Sequence, residues 1–142
     1  MNFPFVSRSL LAAWGLAIAS STLWAGTEMD RAFERLQRDY KALKTALEAP
    51  KEEDLTVYLR KADEMLVEAR RAREMEPKMT ATVPETERAQ FLERFRSDMD
   101  VFIANIETLK AALKNARWDE AKTSMETLWQ NKKDGHKAYK RK

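Results

Sequence analysis

The chain has 142 residues, enough for one compact domain, and its 44% apolar content with three glycines and four prolines points to helix rather than sheet. The absence of cysteine excludes a disulfide framework and any thiolate metal site. A formal charge of +3, from 26 Lys and Arg against 23 Asp and Glu, carries no nucleic-acid signature.

Residues 1–25 differ in kind from the rest. Arg8 is their only charged side chain, and Leu10 to Ala19 form an apolar run, the pattern of a secretory signal peptide. That run falls short of the ~20 apolar residues that cross a bilayer core. Cleavage after Ala25, or alternatively after Ala19, is therefore expected, and a domain of residues 26–142 remains with no membrane attachment. It loses only one basic residue, Arg8, with the leader.

Thr27 and Asp30 then stand in capping-box spacing, followed by Met29, Phe33, Leu36, Tyr40, Leu43 and Leu47 in steps of four and three, which predicts a first amphipathic helix. Pro50 and the acidic run Glu52, Glu53, Asp54 suit the first turn of a second helix with the stripe Leu55, Leu59, Ala62, Met65 or Leu66, Ala69 and Ala72. This helix should end before Pro77. The segment Pro77 to Pro84 is a connection, after which Thr82 with Glu85 predicts the cap of a third helix. Its stripe reads Phe91 or Leu92, Phe95, Met99, Phe102, Ile106, Leu109 and Leu113. A fourth helix runs from Asn115 or Trp118 to the C-terminus. Four single apolar seams joined by mostly short connections predict an all-α, up-down-up-down antiparallel four-helix bundle.

The one histidine, His136, follows Trp118, Ala121, Met125, Leu128, Trp129 and Lys132 at helical spacing, which predicts an imidazole facing inward from the fourth helix. A lone histidine in such a place serves either as a hydrogen-bonded core residue or as a metal ligand. Enzyme chemistry finds little support. A di-iron bundle needs Glu-x-x-His pairs, yet Lys133 stands three before His136, and neither a nucleophile motif nor a glycine-rich phosphate loop is present.

The run Phe95 to Ile106 and the ungapped run Leu128 to Lys140 resemble the third and last helices of the cytochrome b562 family. The resemblance extends more weakly through the first half, including an export leader and a proline-bearing connection between the second and third helices. It implies a monomeric periplasmic electron carrier that is not an enzyme and that serves an unidentified redox partner protein. With no cysteine, its haem b would be held noncovalently, between the first, third and fourth helices. His136 falls on the family's histidine axial ligand, Tyr139 on a family tyrosine, and Lys140 where arginine is common. The resemblance thus implies a pocket of Phe33, Phe95, Met99 and Phe102, with Lys140 toward a haem propionate. Cations at a helix C-terminus are also favoured by the dipole, an independent reason for lysine there.

One departure bears on the cofactor. The family's methionine ligand falls on Phe33, which cannot bind iron. Met29, one turn earlier, and Met99, where the family has a pocket phenylalanine, are the alternative second ligands, although both also suit ordinary core packing. The competing expectation is a haem-free periplasmic bundle, a binding or envelope stress-protection protein that has lost the cofactor.

Overall fold

The computed structural model describes residues 27–139, so the expected leader (1–25) and Lys140 lie outside the described residues. Four helices follow one another: α1 (Glu28–Ala46), α2 (Leu55–Arg73), α3 (Glu85–Lys114) and α4 (Trp118–Tyr139). The expected up-down-up-down bundle is observed, with each helix packed on the next.

Local chemistry sets the ends of these helices. The Thr27 hydroxyl accepts from the Asp30 N–H at 3.1 Å while the Thr27 N–H donates to the Asp30 carboxylate at 3.1 Å, the reciprocal cap foreseen for α1. Lys78 lies 2.9 Å from the same carboxylate and ties the α2–α3 connection to the start of α1. The Lys78 ammonium and the Thr27 N–H together hold Asp30 below the usual carboxylate range.

Two expected starts differ. The acidic run Glu52–Asp54 forms a separate 3-10 turn ahead of α2 rather than its first turn. Thr82 does not cap α3: it belongs to the 3-10 turn Lys78–Thr82, where its hydroxyl donates to the Met79 carbonyl at 2.7 Å. Val83 and Pro84 intervene in extended conformation, so α3 begins at Glu85 without a side-chain cap. Between α3 and α4 the chain turns through Ala116 at φ 51°, where the N–H of Arg117 reaches back to the Ala112 carbonyl at 2.9 Å. This is a Schellman closure with alanine in the left-handed position that usually calls for glycine, which is why the sequence does not announce it.

The core is one cluster drawn from all four helices. Leu43, Leu47, Met65, Ile106, Leu109, Leu113 and Leu128 are its largest nearly inaccessible apolar side chains. Phe91 rather than Leu92, and both Met65 and Leu66, face inward, and Tyr58 joins them although the α2 stripe passes it over.

The helix seams are unequal. Ion pairs lace α2 to α3: Arg70 to Glu107 at 2.9 Å, Lys110 to Asp63 at 2.6 Å, and Arg73 to Asp100 through two guanidinium nitrogens. Arg35 makes a bidentate bond to Glu68 between α1 and α2 at 2.8 and 3.0 Å. By contrast, α1 and α4 approach each other far less closely than the consecutive helices do.

Candidate functional site

The α1–α4 seam is fixed by one aromatic contact. Tyr40 of α1 stacks on Trp129 of α4 with ring centroids 6.4 Å apart and planes 21° apart, and its hydroxyl donates to the Met125 carbonyl at 3.1 Å. Seven residues are two helical turns less ~20°, so each helix returns to nearly the same line after about 10 Å of rise. In antiparallel helices, seven residues back from Tyr40 and seven on from Trp129 lead to the same level. They lead to Phe33 and His136, which flank one stretch of seam.

Contrary to expectation, His136 is exposed rather than inward-facing. The buried line of α4 runs through Ala121, Ser124, Met125 and Leu128 and continues to half-buried Lys132, Gly135 and Tyr139. Trp129 and His136 share the flank of that line that looks toward α1, while Asn131 on the other flank accepts from Asn105 of α3 at 2.7 Å. Reading Trp129 as seam rather than flank, a shift of under a quarter turn, accounts for the misplacement. Phe33 is likewise on the rim, 37% exposed.

The other expected residues divide by depth. Phe95, Met99 and Phe102 of α3 are buried in the core. The α3–α4 register, set by the Asn105–Asn131 bond and the Phe95–Tyr139 ring contact, puts Met99 close to the level of His136. Met29 of α1 is half-buried at the core's edge, one turn beyond Phe33 toward the bundle end. Thus Phe33, Met99 and His136 gather at one level from three helices, while Met29 and Tyr139 lie about a turn further out.

Tyr139 does more than the sequence indicates. Its ring packs edge-on against Phe91 and Phe95 at centroid distances of 5.5 and 5.2 Å, and its hydroxyl donates to the Asp98 carboxylate. Burial, then that hydrogen bond, push the phenol above its ordinary value. The result pins the end of α4 to α3 and leaves the α1 side of α4 uncovered. A cleft of about 370 Å³ borders this contact, lined in part by Arg94, Asp98 and Tyr139.

Beside His136, a methyl group built on Gly135 would meet no atom within 4 Å, so a broad flat group could approach the α4 backbone there. Among the described residues no three His, Cys, Asp or Glu side chains converge on a metal position. An iron at this level would have to bring its in-plane donors with it, as a porphyrin does, and take only axial ligands from the protein. An imidazole at the seam, a thioether at its level and bare backbone beside it fit that requirement, whereas Phe33 offers no donor.

The stacking partner of Trp129 and the Asp98 anchor of Tyr139 are not apparent from the sequence. Tyr40 is visible there as a stripe residue, but its pairing spans 89 positions and depends on helix register. No curated protein matches the chain significantly. The family model for cytochrome b562 matches residues 29–140, all four helices with their connections, and the chain accordingly belongs to the cytochrome b562 family.

Proposed function

We propose that the protein is a periplasmic electron carrier that holds one noncovalent haem b at the open α1–α4 seam, with His136 as axial ligand. Membership of a family of haem-binding electron carriers supports the reading. What carries it to a particular place is the Tyr40–Trp129 stack, whose register brings exposed Phe33 and His136 to one level of the loosest seam, beside the bare Gly135 surface. Bound there, the haem would supply a one-electron couple tuned by its axial ligands and burial.

The protein's own residues have separable roles. His136 presents a ring nitrogen from α4, while Phe95 and Phe102 form an apolar wall from α3 and Phe33 covers the rim from α1. Met99 at the level of His136, or Met29 a turn beyond, supplies the thioether that Phe33 cannot. Lys140 pairs with a propionate. No helix among the described residues is long and apolar enough to cross a membrane, which accords with an exported domain once the leader is removed.

Haem titration followed by oxidised and reduced absorption spectra tests this reading. Wild type should take up one haem and show sharp reduced low-spin bands, and His136→Ala should abolish them. Met29→Leu and Met99→Leu identify the second ligand, since only the true one should change the spectrum. A folded wild type without specific uptake would instead favour the haem-free binding or stress-protection bundle.

A further inference from the structure

We propose that the face around Trp129 is a docking surface for an acidic protein partner. Trp129 is 37% exposed, yet its ring is not loose: it lies on Tyr40, itself only 8% exposed and tied through its hydroxyl to Met125. A large aromatic group held rigid before binding loses little entropy on contact, which is the property of an interface anchor.

Three ammonium groups surround this anchor, and they come from two helices. The ammonium groups of Lys132, Lys133 and Lys44 lie 5.0, 5.9 and 6.0 Å from the indole centroid. Lys44 arrives from α1 and the other two from α4, so the fold, rather than a run of lysines in sequence, gathers them. A ring face satisfies an ammonium only weakly, so Lys44 and Lys133 stay open to carboxylates. Among the described residues, Lys44 and Lys133 make no ion pair.

Beside the ring, a cleft of about 330 Å³ between α1 and α4 is lined by Tyr40 and Met125 together with Lys44, Lys122, Glu48 and Glu126. Those two carboxylates interrupt the positive surface on the cleft side of Trp129 and give it a register that a uniformly positive face would lack. An apolar centre with a charged rim fits a protein partner. A bilayer-binding face would need a row of apolar side chains, and Trp129 instead has Lys122, Glu126 and Lys133 along the same exposed side of α4.

The surface does not depend on haem, and its test is made without it. Anisotropy of dye-labelled poly-L-glutamate at low salt measures binding to the purified protein. Lys44→Gln/Lys132→Gln/Lys133→Gln should weaken binding about tenfold, and Trp129→Ala at least about threefold, with Trp129→Phe close to wild type. An equal loss of charge on other faces, Arg60→Gln/Arg71→Gln/Arg96→Gln, should change it by less than about twofold. Circular dichroism establishes that each variant is folded. An equal loss in both triple variants, or no loss in Trp129→Ala, overturns the proposal, because binding would then follow net charge alone. Preferential binding to phosphatidylglycerol vesicles, lost in the same patch variants, also overturns it and assigns the face to a membrane.

Discussion

Two seams of the bundle are built on different principles. Between α2 and α3, Arg70, Arg73 and Lys110 meet Glu107, Asp100 and Asp63, and charge complementarity closes the seam. Between α1 and α4, one stacked aromatic pair and one tyrosine hydroxyl set the register, and toward the bundle end Phe33, Gly135 and His136 are left at the rim. A seam that is fixed at one level and has its side chains exposed at the next is where a flat ligand would enter with the least repacking of the bundle. The ion-paired side provides the rigidity against which that opening is held.

The sharpest way to break this contrast is to remove bulk from each part. Leu109 is completely buried, and Leu109→Ala should cost about 2–5 kcal/mol in urea unfolding. Phe33→Ala at the rim should cost under ~1 kcal/mol, and a core-sized loss would show that the seam is packed after all. Tyr40→Phe removes the hydroxyl bond to Met125 and should cost about 1 kcal/mol, read by the same unfolding curves. No change would mean that stacking alone fixes the α1–α4 register.

Gly135→Ala probes the bare stretch directly. Helix propensity should raise the stability of the haem-free protein by roughly 0.5–1 kcal/mol, since the added methyl meets nothing. The same methyl should weaken haem uptake where a porphyrin lies against α4, and tighter or unchanged uptake would move the ligand elsewhere.

The smallest effect concerns the buried carboxylate between α1 and α2. Asp39 is 1% exposed, with Lys61 at 3.4 Å, and Lys61 also faces Glu64 at 4.0 Å. Burial, then the Glu64 charge, raise the Asp39 carboxyl above its ordinary 3.8 despite Lys61. A raised folded-state value means that the ionised group opposes folding at neutral pH, and this penalty is relieved as pH falls toward that ordinary value. Asp39→Asn should therefore differ most from wild type near neutrality, with urea midpoints converging on acidification. An Asp39→Asn variant less stable than wild type near neutrality would show instead that the Lys61 pairing outweighs burial.

Much of the fold was legible because helix periodicity is local. The stripe of α3, that of α1 from Leu36 onward, the Thr27–Asp30 cap and the four-segment order follow from residues a few positions apart, and the structure has them, whereas Phe33 of the α1 stripe lies at the rim. The Thr82 cap was misplaced because the 3-10 turn competes for the same hydroxyl. The site was legible in its residue types and less so in its depth. His136 was expected inside and lies on the flank, since a stripe that took in Trp129 as well as Leu128 extended from Trp129 to His136, seven residues on, while the buried line follows Leu128.

The sequence by itself determined helix, the inward identity of Phe95, Met99 and Phe102, and the presence of a single imidazole on the last helix. These depend on spacing along one chain segment and on side-chain chemistry. Only the tertiary structure decided that Phe33 and His136 share a level, that Tyr139 anchors to Asp98, and that Lys44 joins Lys132 and Lys133 around Trp129. Each of those depends on how two helices slide and rotate against each other. That choice is made by packing across the whole interface, and no local run of residues encodes it.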